Sequence, residues 1–422
     1  MSIFHAVAIV IMVIGLFNSK KGFLSFLLFA TFLNQLINVI NIPGVPLLTL
    51  KSFMALFFTV LYFAKWNSKT ERRHFPLVRT YIYTTISYLL SLLLGYVEIK
   101  VGYSAIAKVF LEQFFMIWLL WLYMDNEKDI KFLGNGYLII FSVAAIYGIF
   151  EHFWRFNPLT EYEMLFAGDN DDKIIDFTYD EDYGRGYRIK SIFYHALSAG
   201  FNFSLYVMFC IYFMFKRGTV YKMLTTISIA LVLIAIVFVN SRTPLFFLFF
   251  SIVPFFYGKN GIRLLILLLI SLITLLISLD KDSNLYRIIL SFFDQKTSED
   301  LGGSSVTARY DQFDATISIW SKSPLWGLGP KATSSSIVEN DSNFSRLLGL
   351  ESIWIWAAIE RGLIGVTALS FYFFTLLKLA RNNRKMIFLV ISYTLTVSAT
   401  SLPGSYDELF FVILFAHIKR IV

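Results

Sequence analysis

The chain has 422 residues, 57% of them hydrophobic and 18% aromatic, with only 16% charged and a mean hydropathy of +0.64. A soluble domain carries about 25% charged residues, so composition excludes a soluble globular protein. The net charge of +8 is concentrated in short connectors between apolar runs, which argues against nucleic acid as a partner.

Charge-free runs such as 224–239 and 264–279 approach the roughly 20 residues needed to cross ~30 Å of hydrocarbon. They are unbroken rather than alternating, so they read as helices that satisfy their own backbone in lipid. In chain order, spans are expected at 2–18, 22–41, 45–64, 77–96, 103–124, 133–150, 192–215, 224–240, 243–257, 262–279, 353–377, 387–402 and 409–418. The fold class is therefore all-α: one integral membrane domain, 1–422, of about 13 (12–14) transmembrane helices. The first run lacks a basic N-region and a small-residue cleavage site, so it reads as a retained span. Cys210 is the one cysteine and lies in an apolar run, so no intramolecular disulfide is expected.

Alternate connectors are basic: Lys20/Lys21, then Lys65 to Arg79, Lys128/Lys131, Lys216/Arg217/Lys222, Lys259/Arg263, Lys378 to Lys385, and Lys419/Arg420. The short turns between them, 41–46, 97–102 and 402–408, contribute only Lys100. Positive connectors stay in the cytoplasm, which puts two long polar loops, 152–190 and 280–349, on the outer face, the second expected to contain short helices. The first loop is acidic through 169–182. With Asp169 as first ligand of a calcium loop, the required Gly and Glu positions hold Ile174 and Asp180, so a solvated surface is the plainer reading. No metal-ligand cluster, nucleotide-binding glycine motif, internal repeat or low-complexity tract is present, and neither metal nor cofactor is expected.

Charges at membrane depth are costly and point to function. Arg242 follows Asn240-Ser241 at the outer mouth of two spans, where its planar fork matches phosphate oxygens; a snorkelling interfacial arginine is the plain alternative. Arg188 leads a span inward from Gly186 to His195, and Arg309 precedes Trp320 and Pro324-Leu325-Trp326-Gly327-Leu328-Gly329. Three arginines on one face suggest a diphosphate clamp. Glu351 stands at the mouth of the helix that follows the second loop and is the leading base candidate, with His195 in reserve. Glu360 and Arg361 are read as supporting residues that hold this helix, and Lys108 with Glu112 as an i,i+4 ion pair.

These segments carry a resemblance. Arg188 to His195, then Ser241-Arg242, then Arg309 with Trp320 and Pro-x-x-Gly-x-Gly, then Glu360-Arg361-Gly362-Leu363-Ile364-Gly365, follow the order found in the O-antigen ligase/polymerase superfamily. The likeness covers about residues 185–365; the first five spans match only in hydropathy. Ligases of this superfamily usually have His-Asn where this chain has Glu351-Ser352, so the chain looks most like the O-antigen polymerases, Wzy.

The resemblance implies a metal-independent membrane glycosyltransferase at the outer face of the bacterial cytoplasmic membrane. It would join undecaprenyl-diphosphate-linked oligosaccharide repeat units, serving as donor and acceptor, into polysaccharide. Membrane lipids and a chain-length regulator protein are the further partners implied, and nucleic acid is not one. Two readings compete: ligase-type transfer to another acceptor, and a lipid-linked glycan flippase or transporter. Transporters usually have symmetric halves and a midplane site on broken helices, whereas the polar residues here concentrate in the outer loops.

Overall fold

The structure, a computed structural model, describes residues 2–31, 33, 38–40, 48–65, 74–164, 187–193, 195–215, 218–256, 306–334, 352–399 and 407–421. It is all-helical among these residues apart from one short strand pair. Helix α1 (Ile3–Phe17) is capped by Ser2 and α2 (Ser19–Ala30) by Asn18. Strands β1 (Asn38–Ile40) and β2 (Leu48–Thr49) pair antiparallel before α3 (Leu50–Ala64), which is capped by Thr49. After α4 (Val78–Leu94), α5 (Ile99–Val109) runs through a π turn (Phe110–Phe115) into α6 (Met116–Tyr123). Next come α7 (Glu127–Trp154), opened by an Asn126/Asp129 capping box, and the short α8 (Pro158–Met164). The second half holds α9 (Ala196–Phe209), α10 (Thr219–Phe238), α11 (Arg242–Ile252), α12 (Val306–Trp320), α13 (Ile353–Ala380), α14 (Arg384–Ala399) and α15 (Asp407–Ile418).

Five of these segments are long and apolar enough to cross a membrane, and shorter apolar helices accompany them. The polytopic membrane architecture expected from composition is the observed one. The expected span 262–279 lies outside the described residues. So do 165–186 of the first long loop and, within the second, all but 306–334, where α12 is the helix expected there.

Span boundaries depart from expectation where polar groups intervene. Helix α9 starts at Ala196, not 192, because the chain from Tyr187 to His195 is held in irregular conformation. Helices α3 and α15, at 15 and 12 residues, are about 22 and 18 Å long, shorter than the bilayer core. Their N-termini meet inside the bundle, where buried Lys51 is paired with buried Glu408 and Asp407 accepts from Tyr393 Oη at 2.5 Å. Glu112 is buried in the π turn and accepts from Thr49 Oγ1 at 2.5 Å and Ser52 Oγ at 2.7 Å. The i,i+4 pair expected between Lys108 and Glu112 is replaced by these bonds: the π turn alters the helical spacing and places Glu112 against α3.

Contacts sort the connectors into two ends. Lys20 pairs with Asp129 at 2.7 Å, Lys419 reaches Asp125 at 3.2 Å, and Lys65 donates to the Leu16 carbonyl at 2.6 Å. At the other end Ile3 N–H donates to Tyr162 Oη, Ile189 N–H to the Phe238 carbonyl and Tyr96 N–H to the Leu328 carbonyl. The basic connectors at Lys20, Lys65, Lys128/Lys131 and Lys419 thus share one end, and the start of α1 lies at the opposite one. With the basic end in the cytoplasm, Glu161→Cys should react with a membrane-impermeant thiol reagent on intact cells and Asn382→Cys should not. The reverse labelling would invert the assignment of sides.

Candidate functional site

The Arg188 segment is held from below by one carboxylate. Glu151, buried near the end of α7, accepts from Tyr187 Oη at 3.2 Å, Lys190 N–H at 3.2 Å and Ser191 N–H at 2.7 Å. Asn157 Nδ2 donates to the Ser191 carbonyl at 2.9 Å, and Ser191 Oγ to the Ala144 carbonyl at 2.6 Å. Ser191 itself stands at φ +54°, a conformation that these bonds over-determine. The same segment is stitched to the turn after α10. Asn240, at φ +52°, donates its Nδ2 to the Tyr187 carbonyl at 3.1 Å, and Arg188 Nε donates to the Val239 carbonyl at 3.4 Å. Arg188 is therefore fixed at a carbonyl three residues before Arg242, which occupies the first turn of α11. Two expected arginines share one mouth.

His195 is the N-cap of α9, its Nδ1 accepting from Leu197 N–H at 3.1 Å. Burial, and then the charges of Arg188 and Lys190, push its imidazole down to about 3. The ring is neutral at physiological pH, and with Nδ1 accepting, its proton is on Nε2. Buried Lys190 and Glu151 complete this mouth, and both escaped the sequence reading. Glu151 carried a usable signal, a carboxylate at the end of an apolar run.

The second motif pair forms a single device. α13 is broken at Gly362, whose φ of +61° and ψ of −157° suit glycine alone. The Trp354 and Phe373 rings lie 5.5 Å apart, although a straight helix would separate these residues by about 28 Å. The arm from Ile353 to Arg361 therefore turns sharply across the bundle, and the crossing starts after the break. This corrects the expectation of one uninterrupted span at 353–377.

The loop at 324–329 repairs the break. Leu328 N–H donates to the Ile359 carbonyl at 2.8 Å and Gly329 N–H to the Glu360 carbonyl at 3.0 Å. In return, Leu363 N–H donates to the Pro324 carbonyl at 2.9 Å and Ile364 N–H to the Leu325 carbonyl at 3.3 Å. The approach leaves no room for side chains: a Cβ on Gly327 would stand 2.3 Å from the Glu360 carbonyl carbon. Trp320 closes the loop through its Nε1 bond to the Pro324 carbonyl at 2.9 Å. The Pro-x-x-Gly-x-Gly and Glu-x-Gly-x-x-Gly motifs, read separately in the sequence, are two halves of one joint.

Glu360 and Arg361 flank this elbow. The Glu360 carboxylate accepts from Thr333 Oγ1 at 2.9 Å and from the Lys331 N–H. The Arg361 guanidinium lies 4.4 Å above the Tyr88 ring centre, and its Nη1 reaches Ser87 Oγ at 3.5 Å. Arg309 lies on the first turn of α12, and its side chain is outside the description. Glu351 is outside the described residues; it immediately precedes Ser352, the N-cap of α13. A cavity of about 400 Å³ fills the crook of the bent helix, between α12, α13 and the end of α14.

Residues 227–370 match the family model Wzy_C, described as O-Antigen ligase. That match, over about a third of the chain, supports the likeness to the O-antigen ligase/polymerase superfamily. Members of this family are glycosyltransferase-like membrane enzymes. The match takes in Arg242, Arg309, the glycine loop and the elbow, while Arg188 and His195 lie before it. No curated protein matches the chain.

Two outcomes follow from this geometry. Gly362→Ala forces a Cβ to within 2.5 Å of the Leu325 carbonyl carbon and should cost about 1–3 kcal/mol in backbone strain alone, read as a lowered melting temperature in detergent. For His195, a depressed folded pKa means that its contribution to stability is present above about 6.5 and is lost as pH falls toward about 3. His195→Asn keeps a cap acceptor and does not titrate, so it should lose less stability than the wild type between pH 7 and pH 4.5. His195→Phe should cost about 1 kcal/mol at pH 7 through the lost cap.

Proposed function

We propose that this protein is a polysaccharide polymerase of the O-antigen type, working at the outer face of the bacterial cytoplasmic membrane. The observation that carries the reading is the stitching of Arg188 to the turn that bears Arg242, within and beside the segment matched to the family. Oriented guanidinium groups at one helix mouth suit the diphosphate of undecaprenyl-diphosphate-linked oligosaccharide. Arg309, one turn before Gln312 on α12, is assigned to the same clamp.

In the reaction, the hydroxyl oxygen of the acceptor sugar forms a bond to the anomeric carbon of the donor. The bond from that carbon to the diphosphate breaks, and the diphosphate leaves with the electron pair. The acceptor proton passes to the Glu351 carboxylate. Positioned arginines stabilise the growing negative charge, and a general base contributes about 10²–10⁴-fold. His195 is assigned as a hydrogen-bond donor through Nε2 rather than as a base, because its neutral ring uses Nδ1 as the cap acceptor. Glu360 and Arg361 support the elbow. The Glu351-Ser352 pair, standing where ligases of the superfamily usually have His-Asn, favours polymerisation over ligation.

The test uses detergent-purified full-length protein and the host's own lipid-linked repeat unit, extracted from cells deleted for this chain. The wild type should convert it unaided into a ladder of longer lipid-linked chains. Glu351→Gln should lower turnover by about 10²-fold or more at an unchanged melting temperature, and Arg242→Lys should lose most polymer. Near-normal turnover of Glu351→Gln would move the base elsewhere. Product formation only with a separate acceptor would make the protein a ligase, and movement across vesicles without elongation would make it a transporter.

A further inference from the structure

The joint between the broken α13 and the loop at 324–329 is made by backbone groups and braced by Glu360, and the guanidinium of Arg361 takes no part in it. Arg361 is only 7% exposed, and its side chain runs toward α4. Gly365 makes the room: a Cβ there would collide with the Arg361 Cβ and stand 3.4 Å from its Nε. The guanidinium comes to rest 4.4 Å from the Tyr88 ring centre, with Ser87 Oγ 3.5 Å from Nη1. The second glycine of Glu-x-Gly-x-x-Gly thus seats an arginine.

A guanidinium in a protein is always charged and carries five N–H donors in a planar fork. Here Nε is buried with no hydrogen-bond partner, and the bond to Ser87 is longer than the ordinary range. Among the described residues no carboxylate forms an ion pair with it. Glu360, next in sequence, attracts it through space but is itself bonded to Thr333 and the Lys331 N–H. The elements beside the guanidinium offer no other counter-charge, for α4 and the run 362–406 contain neither Asp nor Glu. A buried charge left in this state is costly, and an arginine at membrane depth is by default a functional group whose partner must be named.

The surroundings favour an anion that travels in lipid. Ser87 lies about 10 Å inside the outer end of α4 at Leu94. Ile86, Leu89 and Leu93 of the same helix are exposed apolar residues. An anion reaching this depth needs its own hydrocarbon, which a free phosphate lacks. Polymerisation as proposed above makes the need specific. It joins two lipid-diphosphate species, and only the donor gives up its diphosphate. The acceptor keeps its own, so two diphosphates are present together and repel one another in a single clamp. The arginine mouth is built on α7, α9, α10 and α11, whereas Arg361 lies between α13 and α4.

We propose that Arg361 is the binding residue for a second lipid-linked diphosphate, that of the acceptor, which enters from the outer leaflet between α4 and α13. Its fork holds phosphate oxygens, and the Tyr88 ring orients it. No bond of the acceptor diphosphate forms or breaks there. That the anion belongs to the acceptor rests on the polymerase reading; that a lipid phosphate binds at Arg361 does not.

The test uses the full-length protein, stripped of co-purified lipid, in nanodiscs of phosphatidylcholine. The probe is radiolabelled undecaprenyl diphosphate, which carries lipid and diphosphate but no sugar. The wild type should bind an additional equivalent per chain that Arg361→Met lacks. Arg361→Lys keeps the charge and loses the fork, so it should weaken that site by about tenfold. Arg361→Met removes an uncompensated charge and keeps an apolar stem beside Gly365, so its melting temperature without the probe should equal or exceed that of the wild type. A lowered melting temperature with unchanged binding would make the arginine structural and overturn the site. Where Arg361→Met does not fold, Arg361→Lys decides, and wild-type affinity in that variant overturns the site. Displacement by inorganic diphosphate as readily as by the probe would overturn the lipid source, and displacement by phosphatidylglycerol would make this a phospholipid headgroup site instead. In elongation, with preformed longer chains held saturating as donor, Arg361→Lys should raise the KM of the lipid-linked repeat unit by about tenfold with little change in kcat. An unchanged KM beside weakened binding would remove the acceptor assignment. Unchanged KM and unchanged binding would remove the site and leave the polymerase. Arg361-dependent binding without elongation by any form of the protein would remove the polymerase and leave the lipid-phosphate site.

Discussion

Inside a bilayer no backbone N–H or C=O can turn to water, so each must bond within the protein. α13 breaks its own ladder at Gly362, and the loop at 324–329 supplies the missing donors and acceptors in both directions. That exchange determines most of what surrounds the candidate site. It holds the outgoing arm across the bundle, and with it Ser352. It also ties α12 down through a small separate core of Val97, Ala315, Ile319, Leu328, Ala332 and Ile359. The turn after α4 joins the same joint, because the Leu328 carbonyl accepts from Tyr96 and Val97 N–H while Ser91 Oγ donates to the Glu360 carbonyl. A fault in the loop would therefore move Arg309, Ser352 and Glu360 together.

The arginine mouth solves a different problem, that of holding like charges near each other. Arg188, Lys190 and Arg242 are like charges beside a neutral His195, and backbone geometry helps to hold the segment that carries them. Glu151 receives two backbone N–H groups of the segment as well as the Tyr187 hydroxyl, and Asn240 donates its amide to the Tyr187 carbonyl. On the transferase reading proposed above, a scaffold of this kind fixes charge before a ligand arrives, so little reorganisation is needed when negative charge develops. It also accounts for the neutral state of His195, since a further proton would add a buried charge beside two existing ones.

Much of the architecture could be read from the amino acids. Apolar run lengths gave the helical membrane class, and basic connectors such as Lys20, Lys65 and Lys419 do share one end. The order of the arginine and glycine motifs led to the superfamily that the match to residues 227–370 supports. Hydropathy could not report the break at Gly362, because the residues around it are as apolar as any span and the break depends on a loop more than thirty residues earlier. Nor could it report that α3 and α15 start inside the bundle, since Lys51 and Glu408 become tolerable there only once tertiary structure pairs them. Lys108 and Glu112 had ideal helical spacing, and a single π turn redirected the carboxylate toward Thr49 and Ser52.

The two charged regions also bear on enzyme against transporter. Short helices ending inside the bundle on Lys51, Asp407, Glu408 and Glu112 are the kind of feature on which transporters build midplane sites. Here the lysine is neutralised by the chain's own Glu408, Asp407 accepts from Tyr393, and Glu112 is engaged by two hydroxyls. A pair satisfied in this way is costly to open, because separating it would leave buried charges uncompensated. Such a network serves better as a lock between α3 and α15 than as a site that must exchange partners in every cycle. At the arginine mouth the carboxylate of Glu151 accepts mainly from backbone N–H groups of the segment, so it serves there as a scaffold for the chain rather than as a partner that a transport cycle would exchange.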